Sequence, residues 1–157
     1  MACQFTRRMP EIRRNLHRLY RHSTDVDKSL GTVWYPNAHK IICEWADTYG
    51  YSIATTACVV AAISPQCDWS RNLVIANDIL ADRPPSIGGA IRSNVAKARR
   101  IRHDRACQML PYFPHGPKVS SFACNLAGDY SIVTVDTHAM QAGLQDVQAN
   151  YQLPWQP

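Results

Sequence analysis

Residues whose side chains could react or grip a phosphate gather late in the chain, between Gly116 and His138. Gly116 closes a turn-rich segment, LPYFPHGP, and Pro117 suits the first position of a following helix because its missing N–H costs nothing there. The free N–H groups and the dipole at such a helix start favour a phosphate. Lys118 sits in that first turn, where its charge opposes the dipole. An amine becomes a nucleophile when desolvation strips its proton; otherwise it is a solvated or phosphate-touching cation. Asp136 follows eighteen residues later in the run Val135-Asp136-Thr137-His138. A carboxylate there can cap the next helix or, in a water-poor pocket, stabilise positive charge on a reacting atom. His138 reads as a pocket neighbour of that carboxylate or as a core histidine with both nitrogens satisfied.

A second group lies between Ser64 and Asn72. Gln66 follows Pro65, so it is either a plain turn residue or a polar side chain presented from a turn. Trp69 offers a ring and Asn72 an amide, and both are candidate pocket residues; core packing is the competing explanation for Trp69, as for Trp34 and Tyr35. The six cysteines form no CxxC pair, none joins a histidine at zinc-finger spacing, and their smallest gap is nine residues. That spacing argues against a structural zinc or an iron–sulfur cluster. Reduced, structural thiols are expected, with Cys43 and Cys58 acting as small hydrophobes on apolar segments. No metal and no cofactor is expected.

The chain carries 17 Lys and Arg against 12 Asp and Glu, a formal net charge of +5. Residues 1–22 hold Arg7, Arg8, Arg13, Arg14, Arg18 and Arg21 against Glu11 alone. Residues 92–105 hold Arg92, Lys97, Arg99, Arg100, Arg102 and Arg105 against Asp104 alone, and the remainder is acidic. Two basic stretches on an acidic body fit a polyanion footprint, because neutralised phosphates release counterions. Arg99, Arg100 and Arg102 are therefore expected to contact a nucleic-acid backbone, with plain solvated helix faces as the competing explanation. A hydrophobic share of 46% with 18% charged residues excludes wholesale disorder. The longest apolar run, Ile53 to Ile63, is far shorter than the roughly 20 residues of a membrane span. The N-terminus lacks the apolar core of a signal peptide, so a cytoplasmic location is expected, with no membrane partner.

Helices must position these groups, and the periodicity predicts helices almost throughout. Ile12, Leu16, Leu19 and Tyr20 make an amphipathic first helix over 10–22, with arginines opposite. Residues 35–49 repeat the pattern and Gly50 stops it. Ser52 caps IATTACVVAAI, whose apolar surface all round predicts a buried central helix. Asp68 caps WSRNLVIANDILAD, ADRPPSIGG is a loop, and Ser93 caps a basic helix, NVAKARRIRHDRACQML. Pro117 opens KVSSFACNLAG, GDYSIVTV is a short extended stretch or turn, and Asp136 or Thr137 begins THAMQAGLQDV. The length suffices for one domain with its own core, expected over 1–157.

The segment from Gly116 to His138, with Lys118 eighteen residues before Asp136, resembles the helix-hairpin-helix DNA glycosylases related to endonuclease III, whose hairpin leads to an aspartate in a V-D-T-H context. AAISPQCDWSRNLVIANDIL, residues 61–80, resembles that family's apolar helix ending in a Ser-x-Gln turn. The helix order agrees over roughly residues 35–143. The combination of GxxWYxxAH (Gly31 to His39), SPQxxWxRN and VTVDTHA also resembles a group of bacteriophage proteins of unassigned function. Three departures stand out. Tyr112, Phe113, Pro114, His115 and Gly116 replace the usual Leu-Pro-Gly-Val-Gly hairpin, the four-cysteine cluster of many members is absent, and the chain stops 21 residues after Asp136, which reads as a C-terminal truncation.

The resemblance implies an all-α, glycosylase-like fold, DNA as partner, and cleavage of the N-glycosidic bond of a base, modified or unmodified. Asp136 would stabilise the oxocarbenium-like sugar, and Lys118 would attack C1′ to form a Schiff base, adding lyase chemistry. Gln66 would fill the space left by an extruded base, and Gly116 would approach a phosphate. The same motifs fit a phage enzyme that hypermodifies a DNA base. The altered hairpin and short C-terminus fit a non-catalytic DNA-binding or anti-defence protein. Oligomeric state stays open.

Overall fold

The structure, a computed structural model, describes residues 4–103 and 116–144. Among the described residues there are seven helices and no strand: α1 (Gln4–His22), α2 (Asp25–Tyr49), α3 (Ile53–Ile63), α4 (Trp69–Leu80), α5 (Arg92–His103), α6 (Pro117–Leu126) and α7 (Thr137–Leu144). The expected all-α class is what these residues form. The hairpin positions before Gly116, the tail of the basic helix with Arg105, and the C-terminal QLPWQP lie outside the described residues. Two compact units divide the chain: Met1–Leu30 with Val135–Pro157, and Gly31–Thr134.

In the larger unit α3 is the centre. Ser52 caps it as expected, its hydroxyl accepting the N–H of Thr55 at 3.0 Å. Every residue from Thr55 to Ile63 is buried, so helix length and packing override the poor helix propensity of its β-branched residues. The two buried threonines keep their hydroxyls satisfied: Thr56 Oγ1 donates to the Ser52 carbonyl, and Ser52 Oγ donates to Thr55 Oγ1. Helices α4, α5 and α6 all pack on α3, contributing Ile75, Ile79, Ala98, Ile101, Phe122 and Leu126 to one core with Ile42 of α2. Each large aliphatic chain buried there stabilises the fold by about 1.5–3 kcal/mol.

Two element starts differ from expectation. Helix α2 begins at Asp25, ten residues before the expected Tyr35, and runs through Pro36. A reciprocal cap starts it: the Thr24 N–H donates to Asp27 Oδ2 and the Asp27 N–H donates to Thr24 Oγ1, each at 3.1 Å. Its end is as expected, with Gly50 at φ 69° and the Tyr51 N–H donating to the Ala46 carbonyl. Helix α5 begins at Arg92, so Ser93 lies in its first turn and is not the cap; the N–H groups of Asn94 and Val95 both reach the Ile91 carbonyl instead.

In the smaller unit α1 packs on α7. Asn15 Nδ2 donates to the Gly143 carbonyl at 2.9 Å, and a Cβ on Gly143 would lie 2.9 Å from Ile12 Cγ2, so the helices meet at a position that only glycine fits without a shift. No described helix is long and apolar enough to cross a membrane.

Candidate nucleic-acid interface

The turn between α3 and α4 presents Gln66. The Cys67 N–H donates to the Ser64 carbonyl at 3.2 Å, Pro65 takes the second turn position, and Gln66 takes the third with φ 57°. That is a type II turn, in which glycine ordinarily supplies the positive φ. A glutamine held there is backbone-strained, and its side chain is exposed. Asp68 then caps α4, its Oδ1 accepting the Arg71 N–H at 2.9 Å.

The two pocket candidates on α4 are packed, not open. Trp69 is half-buried against Trp34, 5.0 Å between ring centroids, and against Phe122 at 6.4 Å. Trp34 also meets Tyr35 edge-on at 4.9 Å, so these rings tie α2, α4 and α6 together. Asn72 is fully buried, and its Nδ2 donates to the Val60 carbonyl at 3.2 Å, joining α4 to α3. Its Oδ1 finds no partner among the described residues.

The basic stretches are divided by burial. On α1 the side chains of Arg13, Arg14, Arg18 and Arg21 are exposed. On α5 Arg92, Arg99 and Arg100 are exposed, and Arg92 and Arg99 border a cavity of about 420 Å³ with the Gly88-Gly89 loop. Arg102 departs from its expected place. Its side chain is buried, Nη1 donates to the Ile79 carbonyl at 3.0 Å, and Nη2 pairs with Asp82 and reaches His103 Nε2. It clasps the C-terminal end of α4, where a cation complements the dipole, and it is withdrawn from the basic face. The spacing of Asn94, Ala98, Ile101 and Arg102 is that of one buried helical stripe.

Gly116 stands before α6 at φ 81° and ψ 162°, exposed, with no side-chain cap on the helix and Pro117 at its first turn. Lys118 is half-buried in that turn, with no hydrogen bond or ion pair to its side chain among the described residues. Buried Asn125 fixes the loop beyond α6: Nδ2 donates to the carbonyls of Asp129 and Ile132, and Oδ1 accepts from Thr134 Oγ1 at 2.7 Å. Asp136 caps α7, Oδ1 accepting the Ala139 N–H at 2.8 Å and its carbonyl accepting the Met140 N–H. Lys118 belongs to the unit Gly31–Thr134 and Asp136 to the other. His138 is in the first turn of α7.

Two arrangements escaped the sequence. Asp78 is buried and accepts the Ser86 N–H and Oγ–H at 2.7 and 2.6 Å, while Arg83 donates to its other oxygen. The Ser86 bonds first, then the Arg83 guanidinium, hold its carboxyl below the usual carboxylate range. His39 and Cys43 meet on α2, Nε2 to Sγ 3.4 Å, with His39 Nδ1 2.9 Å from the Leu126 carbonyl. Their i, i+4 spacing was visible, but the carbonyl 87 residues away was not. Among the described residues no three His, Cys, Asp or Glu side chains are grouped to hold a metal ion.

Residues 3–154 match a family described as a family of unknown function (DUF7178). No curated protein matches the chain, and no solved structure does.

Proposed function

The chain belongs to that family of unknown function, and we propose that it is a DNA-binding protein of the helix-hairpin-helix glycosylase type that acts at the base–sugar bond of a nucleotide. The observation that carries the proposal is Gln66: an exposed, polar side chain held at positive φ in a turn position that glycine would fill without strain. A base leaving the duplex costs a few kcal/mol, and a wedge projected from a rigid turn offsets part of that cost. The exposed arginines Arg99 and Arg100 of α5, and those of α1, supply backbone charge neutralisation.

In this mechanism the free N–H groups at the start of α6 and the open approach at Gly116 take a phosphate. Asp136 has one oxygen committed to α7; in this reading the carboxylate charge stabilises the positive charge that develops on the sugar as the glycosidic bond breaks. Lys118 supplies the amine that attacks C1′ as the bond from C1′ to the base breaks; the departing base takes the electron pair and a proton, and opening of the C1′–O4′ bond leaves a Schiff base on C1′ with O4′ as a hydroxyl. Borohydride trapping on duplexes carrying damaged or hypermodified bases tests that step. A covalent DNA adduct in the wild type and none in Lys118→Ala is expected, and no adduct on any duplex removes the lyase chemistry.

A second proposal, DNA binding without catalysis, is favoured by one observation. The Asp136 carboxylate already serves as a helix cap, which is a sufficient structural reason for an aspartate at that position. Salt-sensitive DNA binding with no base release from any substrate would select it.

A further inference from the structure

We propose that Cys43 is a base-assisted nucleophilic thiol and the site at which soft electrophiles modify this chain covalently. The proposal is independent of any action on DNA. A carbonyl oxygen can only accept, so the 2.9 Å contact with Leu126 places the ring proton of neutral His39 on Nδ1. That leaves the Nε2 lone pair facing Cys43 Sγ at 3.4 Å, where it accepts the S–H. A nucleophile, a base within hydrogen-bond reach and a third group that orients the base are the three parts of an activated thiol.

The surroundings accommodate this arrangement. Gly128 has φ 99°, and a Cβ there would lie 3.1 Å from His39 Cε1, so glycine both permits the turn after α6 and leaves room for the ring. The ring also lies at the C-terminal end of α6, where a developing imidazolium is favoured by the dipole. Cys43 is half-buried, while Cys58 is sealed in the core. Among the described residues the half-buried Cys67 and Cys124 have no such partner: burial, and then the carboxylates of Asp68 and Asp129, push both thiols up.

In the step, the Cys43 sulfur bonds to the electrophilic carbon and the carbon–leaving-group bond breaks, its electron pair departing with the leaving group. The thiol proton passes to His39 Nε2 and from there to water.

Iodoacetamide on the native full-length protein, with each cysteine followed by peptide mass spectrometry, tests the proposal. Cys43 should be alkylated on the order of a hundredfold faster than Cys67 and Cys124, the low end of what base assistance provides. His39→Asn keeps a donor for the Leu126 carbonyl but has no distal nitrogen; it should slow Cys43 by about the same factor and leave Cys67 and Cys124 unchanged. Unlabelled Cys58 reports that the variant is folded. Equal rates for the three half-buried thiols in the wild type, or a Cys43 rate unmoved in a folded His39→Asn variant, would overturn it. The wild-type ranking decides the matter even if the variant fails to fold.

Discussion

A glutamine at the third position of a type II turn costs roughly 1 kcal/mol relative to glycine, and Gln66 bears that cost. Replacing it by glycine relieves the strain but returns about 0.4–1 kcal/mol of entropy to the unfolded chain. Gln66→Gly is therefore expected to change stability by less than about 0.5 kcal/mol in denaturant melts while cutting base release about tenfold. A large loss of stability would make Gln66 a structural residue. The arginines separate in the same way. Arg99→Ala and Arg100→Ala should each lower the slope of log affinity for duplex DNA against log salt by about 1, without unfolding the chain. Arg102→Ala should leave that slope alone and cost about 2–3 kcal/mol of stability, because it opens a buried clasp on the end of α4. Composition alone assigned all three to one basic face. The stripe of Asn94, Ala98 and Ile101 distinguishes Arg102, and burial against the Ile79 carbonyl gives the reason.

At the scale of elements, local rules predicted what local forces decide. Ser52 and Asp68 cap their helices and Pro117 opens α6, because each acts on N–H groups within a few residues of itself. The first ten residues of α2 fall outside the helix expected from sequence although Val26, Leu30 and Val33 recur at i, i+4 and i+7; in the structure that stripe is exposed. What starts that helix is Thr24 and Asp27, a capping box with aspartate where glutamate is usual. The loop after α4 depends on Asp78, whose depressed acidity gives a sign to its pH dependence. Its contribution to stability is fully present above the unfolded-state value, about 4, and is lost as pH falls through the lower folded-state value. Urea midpoints from neutral to acid pH should show Asp78→Asn less stable than wild type at neutral pH, with the gap narrowing toward acid. In the smaller unit, Gly143→Val should destabilise by pressing on Ile12, and Ile12→Ala in the same chain should recover part of the loss. That contact joins residues at opposite ends of the sequence, so no local pattern announces it.

At the scale of the whole molecule, the all-α class followed from helical periodicity, while the division into Met1–Leu30 with Val135–Pro157 and Gly31–Thr134 depends on long-range packing. The two basic helices fall one in each unit, α1 in the first and α5 in the second. If both neutralise phosphates, affinity for duplex DNA should fall by orders of magnitude between about 50 and 200 mM salt, and a flat titration would defeat the footprint. Binding alone does not distinguish an enzyme from a binding protein. The direct measurement is release of free base from duplexes carrying damaged or hypermodified bases, compared between wild type and Asp136→Asn. Asparagine caps a helix as well as aspartate does, so the variant keeps the α7 cap and removes only the charge. Base release by the wild type, lost by at least about 100-fold in the variant, is the expected result; equal release by the two proteins would contradict the role of Asp136 at the base–sugar bond.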